Sequence, residues 1–291
     1  MRKLECVINN KLYEIVLDKY KILYGDDLES QYNIVKSFKS FFNKITYSEY
    51  TKENNFKMHI KLNERFVDVR SSLFFEVNYD YDFINDAKLG TKSLILKYYE
   101  HMLEGIEYDD SFNTIKELLN SFINLEMKDK IKQDINKLSL LTKCDDFNFK
   151  TLIKLLVPSL IKDLYDANNT DLSYEEVILF QLKLINSIAL KSKKKVFVIC
   201  NIPLITKNIL AELEKTNEQI ILLSISNKFP LDINIDNIIF TDLNWLDFNN
   251  ENTLIDFLMN CPFTYDVENL KQKILNELNC CNLKNKILLN K

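Results

Sequence analysis

Tyr20-Lys21-Ile22-Leu23-Tyr24-Gly25-Asp26-Asp27-Leu28-Glu29-Ser30 decides the reading of the fold. A short apolar run, residues 22–24, enters Gly25. Helical spacing then begins near Asp27, with Leu28, Tyr32, Val35, Phe38 and Phe42 on one face. A phosphate-binding loop of an ATPase sits at such a strand–turn–helix junction. A working loop presents several backbone amides, a Lys for the β- and γ-phosphates, and a Ser or Thr for magnesium. Residues 25–30 supply one Gly, one Ser, no Lys, and three carboxylates that repel phosphate. The stretch predicts an α/β scaffold of ATPase type whose nucleotide cradle is missing, with Gly25 as a tight turn.

A second position gives the same answer. The continuous apolar run 196–200 ends in Asn201 and Ile202. An ATPase places an Asp there for magnesium, often with a Glu beside it. The competing reading is that both places are ordinary strand ends of some other α/β fold. Either way no nucleotide hydrolysis is expected, so the chain is read as a non-enzyme with no bound nucleotide. Only Gly25, Gly90 and Gly105 occur, and no two lie within six residues, so no glycine-rich fingerprint exists. Asp26, Asp27 and Glu29 suit a metal, or simply oppose the dipole of the helix they start.

The chain has 291 residues, 46% hydrophobic and 27% charged, with 19 Phe and 14 Tyr, which is a folded composition with a real core. The six cysteines include no Cys-x-x-Cys pair, and with only His59 and His101 a histidine metal site or triad is not expected. The start Met-Arg-Lys-Leu-Glu leads directly into strand-like sequence, and no apolar run approaches a membrane span. These features predict a reduced, cytoplasmic protein.

The organisation reads as a β-rich start, a helical insertion and a return to α/β order. Residues 4–8 and 12–17 predict a hairpin turned by Asn9-Asn10. Residues 56–62, 66–69 and 73–77 predict further strands. The spacing predicts helices over 94–141, with Asp109, Asp110 and Ser111 as caps of the second, and over 147–165, broken near Pro158. Ser173 and Glu176 form a capping box for a helix over 173–191. Runs 195–200, 219–225 and 238–240 lack polar alternation, as strands covered on both faces do. Helices over 206–215, 254–259 and 267–278 complete the chain. The expected domains are a head (1–88 and 169–247), a helical leg (89–168, with a returning helix at 171–191) and a helical C-terminal extension (248–291).

The insertion is rich in lysine. Lys128, Lys130, Lys132, Lys137, Lys143, Lys150, Lys154 and Lys162 face only Asp129, Asp134, Asp145 and Asp146 over 35 residues, in a chain of net charge −4. Such a surface binds duplex DNA without reading its sequence, by neutralising phosphates and releasing counterions. The competing reading is a solvated helix face. Lys191, Lys193, Lys194 and Lys195 form a second cluster before the 195–200 strand. The aromatic stretch Asn78-Tyr79-Asp80-Tyr81-Asp82-Phe83 suits either a protein contact or loop packing.

Taken together, the reduced Gly25 turn, the strand at 72–77 with Asn78–Phe83 and the helix after Ser93, the segment Lys193-Lys194-Lys195-Val196-Phe197-Val198-Ile199-Cys200-Asn201 with Leu204-Ile205-Thr206-Lys207, and the 220–224 strand resemble the Csn-two family of CRISPR-associated proteins from type II-A systems. The likeness spans most of residues 1–245. It implies a degenerate P-loop-ATPase-like head with an inserted α-helical leg and no ATPase activity. It also implies a homotetramer ring around double-stranded DNA, loaded at free ends. Such proteins serve spacer acquisition, the adaptation step of antiviral defense, with the integrase pair and the RNA-guided nuclease. The resemblance further implies calcium, best matched by Asp145 and Asp146. Where the family has more carboxylates, this chain has Asn148 and Lys154. The DNA-contacting lysines are assigned as a group: Lys128, Lys130, Lys132, Lys137, Lys143, Lys150 and Lys154. The alternative from another class is a protein-interaction scaffold with a degenerate ATPase fold and no DNA binding.

Overall fold

A computed structural model describes residues 2–8, 11–43, 59–103, 106–134, 152–230, 233–243, 245–260 and 267–276. The chain divides into two compact units. Residues 1–81 and 172–291 form one, and the sequence insertion 82–171 forms the other.

The first unit holds two sheets. β1 (Arg2–Ile8) pairs antiparallel with β2 (Lys11–Leu17), in register from Arg2↔Leu17 to Ile8↔Lys11. The Asn9-Asn10 turn expected between them lies outside the described residues. β1 also pairs with β4 (His59–Leu62), and β4 with β5 (Arg65–Phe66), through Asn63 and Glu64 at φ 49° and 65°. Two consecutive positive φ values make the two-residue turn whose twist matches flanking strands.

The larger sheet runs, in spatial order, Leu246–Asp247, Ile238–Phe240, Tyr20–Tyr24, Ile220–Ser226, Lys195–Asn201 and Ser72–Asn78. β3 (Tyr20–Tyr24), β6 (Ser72–Asn78), β9 (Lys195–Asn201), β10 (Ile220–Ser226) and β11 (Ile238–Phe240) are mutually parallel. β12 (Leu246–Asp247) adds an antiparallel edge. The strand over 66–69 is shorter than its composition suggests: Val69 already belongs to a 3-10 turn capped by Asp68. β12 had no strand-like signature in a two-residue run and is a strand only by pairing with β11.

Both faces of the parallel sheet are covered, which is why its strands read as unbroken apolar runs. On one face lie the small sheet and α1 (Leu28–Phe42). Leu4, Tyr13, Ile15, Leu17, Ile34 and Phe38 pack with Leu23, Phe197, Ile199, Ile221, Leu223 and Ile239. The alternate residues Val196, Val198, Cys200, Ile220 and Leu222 are equally buried and point the other way by strand pleating. α5 (Tyr174–Lys191) and α6 (Lys207–Glu214) contribute Ile178, Leu182, Ile185, Ile209 and Leu213 to the interior. Each such side chain contributes about 1.5–3 kcal/mol by leaving water. Cys6 and Cys200 are free thiols at zero exposure, and burial pushes both far above the ordinary thiol range. They pack as small apolar groups rather than reacting.

The capping box is formed as the sequence predicts. Ser173 Oγ accepts from Glu176 N, and Glu176 Oε2 accepts from Ser173 N at 2.7 Å. α7 (Glu251–Asn260) and α8 (residues 267–276) follow the sheet.

The second unit holds α2 (Phe83–Asp86), α3 (Leu94–Met102) and α4 (Ile106–Asp134). α4 is already helical at Ile106, so Asp109, Asp110 and Ser111 lie inside it rather than capping it. The helix expected over 147–165 is corrected. Only Leu152 and Ile153 are helical among its described residues, and the chain then forms the hairpin β7 (Leu160–Lys162) and β8 (Tyr165–Ala167). Pro158 lacks an N–H and disfavours helical backbone before it. Asp163 and Leu164, at φ 52° and 71°, then close a second two-residue turn. The insertion is therefore not purely helical.

Candidate functional site

Parallel strands bring their C-terminal ends to one edge, and that edge is where ligands bind in open α/β sheets. β3 delivers Gly25 there, β9 delivers Asn201, and β10 lies between them. The two positions singled out from sequence are thus brought together on one edge.

At Gly25 the backbone turns with φ +132°, a conformation suited to glycine. A Cβ there would stand 2.6 Å from Asp242 Oδ1 and 2.6 Å from Thr241 Oγ1. Thr241 follows β11 and clamps the turn. Its N–H donates to Tyr24 O at 2.8 Å, and its hydroxyl donates to the same carbonyl at 3.2 Å. Gln31, 3% exposed, donates from Nε2 to Gly25 O at 2.9 Å and to Thr241 Oγ1 at 3.3 Å. The N–H groups of Asp26 and Asp27 both donate to Asp242 Oδ1, the second at 2.9 Å.

Asp27 is the N-cap of α1. Its carboxylate accepts from Ser30 N at 3.0 Å, and hydrogen bonds from Ser30 hold it below the usual Asp range. The helix-start role considered for these acids is the one Asp27 fills. Among the described residues no three His, Cys, Asp or Glu side chains converge as a metal cluster.

A crevice of about 250 Å³ opens beside this turn, between α1 and the ends of β6 and β9. Tyr32, Lys39, Glu76, Asn78, Asn201 and Asn227 line it. Its lysine is committed: Lys39 Nζ lies 2.5 Å from Glu76 Oε2. Asn201 ends β9 with an exposed side chain, and Ile202 N donates back to Ile225 O at 3.1 Å. The edge can receive a small polar or weakly apolar group, and Asp26, Glu29 and Asp242 make it unfavourable for phosphate.

The lysines assigned to DNA fall differently. Lys128, Lys130 and Lys132 lie on the last two turns of α4. Lys154 is exposed just after the short 152–153 turn. Lys137, Lys143 and Lys150 lie outside the described residues, as do Asp145 and Asp146. Lys162 donates to Asp171 O at 2.8 Å and is half-buried. The second cluster, Lys191, Lys193, Lys194 and Lys195, is exposed at the N-terminal end of β9, the sheet edge opposite the crevice. In the aromatic stretch, Tyr79 is exposed, Tyr81 packs 6.1 Å from Phe180, and Phe83 is buried. Loop packing accounts for two of its three rings.

Asp242 is the participant that local sequence reasoning missed. It follows the last parallel strand, and only the pairing of β11 with β3 brings it to Gly25. The available signal was the position of Thr241-Asp242 at the end of a buried strand run.

The fold and its edge define an α/β protein with a largely parallel sheet and a sequence insertion. Stu0660 of Streptococcus thermophilus has a similar solved structure, with TM-score 0.63 and 11% identity over 82% of this chain and 74% of that one. The recombination mediator protein RecF, solved with ATP, aligns at TM-score 0.33 and 10% identity, covering 78% of this chain and 94% of that one. No protein-family model and no curated protein matches the sequence. No helix among the described residues is long and apolar enough to cross a membrane.

Proposed function

We propose that this chain is a non-catalytic, sequence-independent binder of double-stranded DNA ends that acts in CRISPR spacer acquisition. The observation that carries it is the fold likeness to Stu0660 over four-fifths of the chain, a CRISPR-locus protein of the Csn-two kind. The same family is the one the sequence segments resemble. The head is read as a degenerate P-loop-ATPase-like scaffold, and two features support that. Gly25 and Asn201 share one sheet edge, as phosphate loop and magnesium carboxylate must in an ATPase. Neither position carries the required side chain. The insertion 82–171 takes the place of the leg, and its lysines supply the phosphate contacts. The ring, four copies around DNA, the calcium at Asp145 and Asp146, and the integrase and nuclease partners belong to the same reading.

Gel shifts with equal masses of linear duplex and covalently closed circle test it. Linear DNA is expected to shift and the circle to stay free, with no change on adding ATP and magnesium. Equal retardation of both forms defeats the end-loading part, and no retardation of either defeats DNA binding.

A second reading is favoured by one observation. Leu155, Val157, Ile161, Leu164 and Tyr165 of the insertion are 68%, 88%, 57%, 94% and 77% exposed. Exposed apolar groups at this density mark protein contacts, so a protein-interaction scaffold without DNA binding is the alternative. A retained protein partner together with no DNA shift selects it.

A further inference from the structure

We propose that Asp242 is an internal anion: its carboxylate fills the amides of the β3–α1 turn, where a phosphate oxygen binds in an ATPase, and so completes the head without any nucleotide. This goes beyond the DNA reading and rests only on the P-loop-like reading of the head.

The hydrogen-bond inventory of the turn is the ground. Asp26 N and Asp27 N point at one carboxylate oxygen, Asp242 Oδ1. Leu28 N donates to Asp26 O at 2.8 Å, Ser30 N to Asp27 Oδ1, and Gln31 N to Asp27 O at 3.2 Å. The amides of Asp26, Asp27, Leu28, Ser30 and Gln31 are therefore engaged by the chain itself. Hydrogen bonds to an ionised acceptor are shorter and stronger than neutral ones, and a helix N-terminus favours negative charge. Asp242 uses both effects.

Gly25 fits this arrangement and not a phosphate cradle. Its missing side chain leaves room for Asp242: a Cβ would stand 2.7 Å from the carboxylate carbon. The Thr241 bonds to Tyr24 O and Gln31 fix β11 and the turn together, so the carboxylate is delivered by the same segment that closes the sheet. An incoming phosphate would have to displace a tethered anion and then face Asp26 and Glu29.

The full chain, Asp242→Ala and Asp242→Asn test this through melting and amide exchange, neither of which involves DNA. In the parent, inorganic phosphate is expected to act no differently from sodium chloride of equal ionic strength, and magnesium-ATP to give no saturable shift. Asp242→Ala is expected to melt lower by about 2–4 °C. It is then expected to recover part of that loss saturably in sodium formate or inorganic phosphate, because a free anion can enter the emptied place. Asp242→Asn keeps one acceptor oxygen and is expected to lose less. The Asp26 and Asp27 amides should exchange about tenfold faster in Asp242→Ala. If that variant does not fold, faster exchange of the same two amides in Asp242→Asn carries the test. The proposal is overturned if exchange is unchanged in the variant measured, if Asp242→Ala melts with the parent, or if the parent binds phosphate or magnesium-ATP saturably.

Discussion

At Lys21 a lysine amine is held at zero exposure inside a central strand. Its Nζ donates to Asp247 Oδ1 at 2.5 Å and to Asp236 O at 2.6 Å. Asp247, also fully buried, accepts from Val16 N at 3.3 Å and Asn249 N at 2.9 Å. Burial pulls the Lys21 ammonium below its ordinary range, and the Asp247 carboxylate opposes that pull. Removing one partner strands the other charge, so Lys21→Met is expected to cost about 3–5 kcal/mol in urea unfolding. Lys21→Met combined with Asp247→Leu is expected to cost much less, and a single variant as stable as the parent would contradict the buried pair. The neighbouring Tyr20 gives a pH signature. Burial raises its phenol to about 12, against a hydrogen bond from Asn237 that lowers it. An unfolded tyrosine ionises near about 10, so above that pH the folded chain binds more protons than the unfolded one. Stability therefore falls as pH rises from about 10 toward 12. Tyr20→Phe is expected to flatten that part of the profile, read by denaturation at a series of alkaline pH values. A slope identical in both proteins would assign the alkaline loss to other groups.

Elements with a strong local cause were legible, and those made by pairing were not. The Ser173 and Glu176 capping box and the spacing of Leu28, Tyr32, Val35, Phe38 and Phe42 are signals within a turn or two, and both helices stand where they point, although Leu28 and Tyr32 are exposed and Ile34 with Phe38 carries the packing. Val196–Ile199 was legible because a strand covered on both faces has no polar alternation. β12 was not legible: Leu246-Asp247 is two residues long and its β character comes from β11. The hairpin of β7 and β8 escaped for a sharper reason. Asp163-Leu164 sits where Asn-Gly or Asp-Gly would announce the turn, and Leu at φ 71° is a poor turn residue. That conformation costs a side-chain-bearing residue about 1–2 kcal/mol. Leu164 is almost fully exposed, so its side chain repays nothing through burial. Leu164→Gly is thus expected to stabilise the hairpin, by up to about 1 kcal/mol after the flexibility glycine adds to the unfolded chain. Slower amide exchange across β7 and β8 would register it, and faster exchange would mean that Leu164 is held by a contact absent from the isolated chain.

At the scale of the whole molecule, charge decides between two basic surfaces. The acidic turn was legible because Asp26, Asp27 and Glu29 are adjacent in sequence, whereas Asp242 needed the sheet to reach Gly25. The lysine cluster of the insertion, separately, was legible only as composition, since eight lysines in 35 residues do not say which of them face a common partner. The structure supplies a competitor, the exposed Lys191, Lys193, Lys194 and Lys195 at the N-terminal end of β9. Phosphate contacts carry a measurable count, because the salt dependence of affinity has a slope of about −0.9 per contact on duplex DNA. Reversing Lys128, Lys132 and Lys154 to Glu is expected to weaken binding to all duplex sequences alike and to reduce that slope by about two to three contacts. The head variant Lys193→Glu with Lys194→Glu is expected to leave the slope near the parent value. Affinities measured between 50 and 200 mM salt, roughly the range over which counterion release dominates, would separate the surfaces. If the head variant flattens the slope and the insertion variant does not, DNA is held at the N-terminal edge of the sheet and the insertion is free for a protein contact through its exposed hairpin.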